Sequence, residues 1–457
     1  MTTLSVSPIR SEITTYLKLA VPLVSAQIAQ GATGFVDTVM MGHLGWKALA
    51  AGGLASFTYQ VFVTVISGIV MSVSPLVAEA YGAGGKTRIE QLTRQGLWLA
   101  VGLSILTMML LSHLDRIMLS LGQAPETVAL ADTYLNMALW GLFPAVGFAM
   151  LRGVISGLSQ ARPIMLIVIG GTLLNIIGNY ILGFGKLGFP RMELAGLALA
   201  SALSWWVMFA ILLVYLQLHP KLRKYRLFQK WYQLKLPLLG ELIILGMPIG
   251  VSIALEYGSG LVMAYLIGIL GTHVLAAHQI ALQTGMLVFM IPLGMSYATT
   301  ARIGQWFGRR DLTGLKRAGY VSGSIILITT LIVAISIYTF RVPIVGLYID
   351  LSQPENAQLL KIIIPMLSVM AIGQVFDGLQ KTVLGGLYGL QDTRIPAIVG
   401  AVAYLGVGLT CGYVLSFPIG LGGVGMWIGY YVGSIVAATV YIWRFSRLIS
   451  KKFSKAS

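Results

Sequence analysis

Apolar runs of about 20 residues recur along the whole chain, about twelve of them, separated by short connections rich in Gly, Pro or charged residues. A run of that length crosses a hydrocarbon core of about 30 Å as a helix rising ~1.5 Å per residue. Lipid offers the backbone no hydrogen-bond partners, so each span must satisfy its own N–H and C=O groups, and the runs predict helices. The fold class expected is therefore all-α integral membrane. The composition agrees, with 57% of 457 residues hydrophobic and 10% charged, where soluble domains are about 45–50% apolar. The single cysteine, Cys411, excludes an intrachain disulfide and a cysteine-based metal site. No short apolar core with a small-residue cleavage motif opens the chain, so the first run is read as a span and not as a removable signal.

A formal charge of +16 raises the question of nucleic acid, but the basic residues follow the loops. Of the 31 Lys and Arg residues, 25 fall in or beside alternate connections, among them Arg10, Lys86, Arg152, Lys224, Arg226, Lys230, Arg302, Arg309, Lys381, Arg394 and Lys455. Only Lys47, Arg116, Lys186, Arg191, Arg341 and Lys361 fall on the other side. The positive-inside rule then puts both termini in the cytoplasm. No basic patch interleaved with aromatics sits on a soluble module, which argues against a nucleic-acid partner.

The runs cover about 12–42, 50–78, 96–112, 127–155, 163–184 and 194–217, then 239–270, 274–305, 318–340, 357–388, 395–417 and 421–443. Ser11 is a plausible N-cap of the first run, and Pro22 a kink within it. The basic linker 219–238 separates two halves, 1–218 and 239–457, which align. Pro22 matches Pro248, Leu44-Gly45 matches Leu270-Gly271 and Gly82 matches Gly308 at an offset of 226. Gly157-Leu158 and Arg162 match Gly389-Leu390 and Arg394 at 232. A duplicated unit of six spans enters the membrane twice in one orientation, so two six-helix lobes related by a pseudo-two-fold axis along the membrane normal are expected. Transporters built this way hold substrate near the repeat interface and alternate access by rocking.

Three glycine-rich motifs need placing. AYGAGGKT (80–87) has Gly85, Lys86 and Thr87 of a phosphate loop, but Ala80 replaces its first glycine and a membrane span precedes it. GFGKLG (183–188) and GLGGVG (420–425) also follow spans, so all three are read as turns. His43, His113, His219, His273 and His278 show no HExxH spacing, and no zinc enzyme or nucleophile–base pair is legible.

Three acids lie deep in apolar runs: Asp37, Glu256 and Asp377. A charge at the bilayer centre costs about 2.5–3.5 kcal/mol on insertion scales, so each is a candidate functional group. The repeat offers a control, because their counterparts are Met263, Gln30 and Ala145. None of the acids is duplicated, as a purely structural acid would be expected to be. Ser252, Glu256, Ser259 and Met263 share one helix face, as do Gln279, Gln283, Met286 and Met290, and as do Gln374, Asp377 and Lys381. Asn175 and Asn179 share another. Lys381 is a rival partner for Asp377, and the amides also suit interhelical hydrogen bonding. Met-rich and aromatic surfaces that include Tyr257 suit packing or promiscuous binding.

The opening VPLVSAQIAQGATGFVDTVMMGHLG with Asp37, LEYGSG with Glu256, the Asn175 and Asn179 pair and QVFDGLQKTVLGGLYGLQDTRIP with Asp377 together resemble the multidrug and toxic compound extrusion (MATE) family, in its bacterial NorM-like branch. The resemblance covers about residues 12–445. It implies export of amphipathic, often cationic drugs driven by inward Na⁺ or H⁺, in the bacterial inner membrane, by a monomer with no other cofactor. It implies a second-lobe cation site of Glu256 and Asp377, holding Na⁺ if Na⁺ is the coupling ion, and a first-lobe site of Asp37, Asn175 and Asn179. Gln30, Gln279, Gln283, Tyr257, Met286 and Met290 are the expected substrate contacts. Some relatives carry Asp where Asn179 stands, which leaves open the lobe that couples transport. A flippase for lipid-linked precursors is the alternative, and it would call for a basic cavity lining.

Overall fold

The computed structural model describes residues 8–120, 123–223, 225, 232–349, 351, 353 and 356–454. Lys224, Arg226, Lys230 and Lys455, counted above as cytoplasmic charge, lie outside the described residues. Among the described residues the regular elements are all helical. Among the described residues twelve helices are long and apolar enough to cross a membrane. They are α1 (Pro8–Leu44), α2 (Lys47–Gly82), α3 (Lys86–Leu111), α4 (Pro125–Gly157), α5 (Arg162–Gly183) and α6 (Glu193–Leu218), followed by α7 (Leu236–Ile269), α8 (Thr272–Gly308), α9 (Leu312–Thr339), α10 (Ala357–Gly389), α11 (Arg394–Ser416) and α12 (Gly422–Lys451).

Helix ends depart from the apolar runs where a polar turn continues the helix past the hydrocarbon. α3 starts at Lys86, ten residues before its run, and there Arg94 pairs with Glu90 at 2.5 Å. α12 continues past Trp443 to Lys451. Ser11 does not cap α1, because Pro8 opens the helix, a residue whose fixed φ and missing N–H suit a first turn. Ser11 lies within the helix, and its carbonyl accepts the Thr15 hydroxyl at 2.8 Å.

The duplication is written into the turns. Gly45 and Gly271, 226 apart, have φ of 119° and 118°, with ψ of 164° and 161°. That region of backbone space is essentially restricted to glycine. Gly84 and Arg310 repeat a left-handed residue at the same offset, with φ of 74° and 57°. At the offset of 232, Ser159 and Gln391 have φ of 62° and 61°, and Gly188 and Gly420 have 84° and 83°. The three glycine-rich motifs thus lie at the junctions between consecutive helices, where the turns are.

The chain packs into two compact units, one of residues 25–250 and one of residues 1–24 with 251–457. Both changes of unit fall within three residues after Pro22 and Pro248, where a proline interrupts the helix ladder. Glycines make the close contacts in each unit. A Cβ on Gly250 would come within 2.5 Å of Ile69, and one on Gly294 within 2.6 Å of the Val24 backbone. Such small residues let membrane helices approach closely. In the first unit α4 packs against α2, α3 and α6; in the second, α10 packs against α8, α9 and α12. The central helix α10 carries Asp377 and Lys381.

Candidate cation sites

In the unit of residues 25–250, Asp37 of α1 meets the end of α5. Asn179 Nδ2 donates to Asp37 Oδ1 at 2.6 Å and to Asn175 Oδ1 at 3.2 Å. Ser201 of α6 closes the group, its hydroxyl donating to Asp37 Oδ2 at 3.4 Å and accepting from Asn175 Nδ2 at 2.8 Å. Asn175 and Asn179 are buried, and Asn179 Oδ1 has no hydrogen-bond partner. Asn179 starts a π-helical stretch, Asn179–Gly183, a distortion frequent at functional sites. Asp37, Asn175 and Asn179 are thus brought together as read from sequence. Ser201 was not anticipated, since a serine in an apolar helix carries no signal until its neighbours are known.

The carboxylate, amide and hydroxyl oxygens of this group are hard donors, suited to a proton or a small cation and not to a soft metal. Among the described residues no group of three or more His, Cys, Asp or Glu side chains could hold a metal ion.

In the other unit, Lys381 Nζ donates to Glu256 Oε2 at 2.6 Å and lies 5.0 Å from the centre of the Phe289 ring. The sequence suggested Lys381 as a partner for Asp377, one turn away on α10. Its long side chain instead reaches across to α7, while Asp377 accepts from Ser434 of α12 at 3.4 Å. Asp377 remains close enough for its charge to act on Lys381 and for Glu256 to act on Asp377. Both Asp377 and Lys381 are buried. Tyr404 faces Asp377 from a second π-helical stretch, Val402–Gly408. Asp37 and Asp377 each therefore stand beside a widened helix.

Gln30 is held in a different way from its counterpart Glu256. Arg152, buried near the end of α4, donates through Nη1 to Gln27 Oε1 at 2.7 Å and to Gln30 Oε1 at 3.3 Å. Among the remaining expected substrate contacts, Gln279, Gln283 and Met286 are exposed on one face of α8, whereas Met290 and Tyr257 are half-buried. Exposed amides at membrane depth are costly against lipid, so this face of α8 suits a water-filled cavity.

The family model for MatE matches the chain twice, at residues 22–181 and 248–414. This chain belongs to the MatE family. The two matches start at Pro22 and Pro248, which reproduces the 226-residue offset of the repeat. A relative from Synechocystis named "Probable multidrug resistance protein NorM" is 51% identical over 445 residues, covering 97% of this MatE chain and 96% of its own length. A protein of the same name from Pseudomonas aeruginosa is 37% identical over 449 residues, covering 97% and 92%. A crystal structure of MATE in the straight conformation has a TM-score of 0.87 at 24% identity, covering 99% of each chain. One in the bent conformation has a TM-score of 0.86 at 23% identity, covering all of both chains. At these identities the likeness is one of fold.

Proposed function

We propose that this MatE chain is a secondary active multidrug exporter that exchanges amphipathic, mostly cationic drugs for Na⁺ or H⁺ by alternating access in the bacterial inner membrane. The observation that carries the reading is the charge count around Lys381. With both acids ionised, Glu256, Asp377 and the ammonium together carry a net charge of −1. That is the charge one proton, one Na⁺ or one drug cation would neutralise, and only one of them at a time. A buried acid binds a proton more readily than one in water, whereas a nearby cation favours the ionised form. Competition for one negative charge therefore couples ion entry to drug release. Asp37 with Asn175, Asn179 and Ser201 provides a second carboxylate that works by the same rule. The names of the relatives support a drug substrate, and the exposed Gln279, Gln283 and Met286 offer adaptable contacts for one.

The test is drug efflux from proteoliposomes with a Na⁺ gradient and a pH gradient imposed separately. One of them is expected to drive concentrative efflux in the parent chain, with Glu256→Gln and Asp377→Asn inactive at ion concentrations that half-saturate the parent. If neither gradient drives efflux, the exchanger reading is wrong.

A further inference from the structure

A row of buried polar groups leads from one end of α12 to Asp377. Trp427, Tyr431 and Ser434 lie at i, i+4 and i+7, so they share one face of α12. They stand about 8, 14 and 18 Å from the Gly422 end at ~1.5 Å per residue. Each meets a polar partner from a neighbouring helix. Trp427 lies against His278 of α8, ring centres 5.7 Å apart, and against Tyr431, 5.9 Å away. Tyr431 faces Gln374 of α10, and Ser434 donates to Asp377.

These groups are nearly sealed, with His278 at 1% exposure and Trp427, Tyr431 and Gln374 at 5% each. Yet both ring nitrogens of His278 and Trp427 Nε1 have no hydrogen-bond partner, whereas Tyr431 bonds Gln374 and Tyr404 bonds Asp377 and Ser434. Buried polar groups are almost always satisfied, by protein or by ordered water. An apolar explanation fails for three such atoms side by side at one end of the row. A small cavity lined by Tyr404, Ser259, Met263 and Tyr430 has room for about one water. A helical turn of ~5.4 Å is also the span of one water making two hydrogen bonds of about 2.8 Å. At the repeat offsets, His278 and Gln374 correspond to Gly52 and Leu142, so the first half carries no such row.

We infer that water beside His278 and Trp427 joins the Tyr431–Gln374 and Ser434–Asp377 bonds in one polar file through the interior of the α8, α10 and α12 bundle, giving Asp377 its own path for protons from the helix end nearest His278. The inference deepens the exchanger reading by naming how an ion reaches one of its acids. Buried water is read without any transport, by X-ray radiolytic labelling of the full chain in lipid nanodiscs, since hydroxyl radicals formed from bound water modify the side chains beside it. His278, Trp427 and Tyr431 are expected to label more than threefold faster than Tyr16 and Phe209, which are buried at 1% and 5% exposure. Gln374→Leu is expected to reduce Tyr431 labelling at least threefold at an unchanged unfolding temperature. Labelling at or below three times the control rate overturns the file, as does Tyr431 labelling indifferent to Gln374→Leu. A chain that labelled as expected but exported no drug would leave the file standing and refute the exchanger.

Discussion

Replacing Glu256 by Gln removes the carboxylate 2.6 Å from Lys381 and takes the ionised cluster from a net charge of −1 to zero. At an effective dielectric of about 20, a unit charge ~4 Å from a bound cation contributes about 4 kcal/mol. That corresponds to nearly three orders of magnitude in affinity. Replacing Lys381 by Met in the same chain removes the ammonium as well, leaves Asp377 alone and restores −1. The half-saturating concentration of the driving ion should therefore rise about a thousandfold in Glu256→Gln and fall back toward the parent value in the double variant. The assay is initial efflux rate in proteoliposomes against ion concentration, with the amount of folded protein matched, because a single substitution in this half-buried pair also lowers stability. A Glu256→Gln variant with the parent's ion dependence would refute the charge count, and so would a double variant no better than the single one.

Three further outcomes are expected. Asn179→Leu removes a charge-assisted hydrogen bond of 2.6 Å to Asp37, worth about 1.5–3 kcal/mol, and should appear as that loss in reversible unfolding in mixed micelles. Glu12→Gln breaks a buried pair in which Arg302 reaches both carboxylate oxygens, at 2.8 and 2.7 Å. It should cost about 3–5 kcal/mol, whereas a Glu12→Leu, Arg302→Leu chain should lie much closer to the parent; thermal unfolding compares them. Gly45→Ala and Gly271→Ala meet no atom within 4 Å, so their cost is that of the backbone alone. Each should lose about 1–3 kcal/mol, and by a similar amount, in the same unfolding assay.

The twelve spans and the duplication were legible because both rest on patterns longer than any one contact: hydrocarbon thickness sets the run length, and a repeat leaves matched glycines. The acids were legible for a different reason, namely that charge in lipid is rare. What stayed hidden depends on side-chain reach. Sequence spacing put Lys381 beside Asp377, but a lysine can span to the next helix, and the structure gives it to Glu256. Ser201 and Ser434 complete the two acid groups although each is an ordinary small residue in its own helix. Arg152 was counted with the charges of one loop, and its burial against Gln27 and Gln30 depends on packing around α4.

Arg152 and Lys381 belong together in a way that neither contact shows alone. At the offset of 232, Lys381 corresponds to Ala149, one helical turn before Arg152 and on the same face of α4. Gln30 and Glu256 correspond at the offset of 226. Each half therefore sends a cationic side chain from its central helix to the same position on its first helix. In one half the acceptor is an amide, which satisfies the guanidinium without adding charge. In the other it is a carboxylate, and Asp377, whose counterpart is Ala145, adds a second. The contact is a helix-to-helix tie without excess charge in the first half and carries an excess negative charge in the second. The first half has placed its own acid elsewhere, at Asp37, whose counterpart Met263 lines the cavity beside Tyr404. The two units thus hold their acids at non-equivalent positions of one fold, so the two groups can differ in ion affinity without either altering the packing of the repeat.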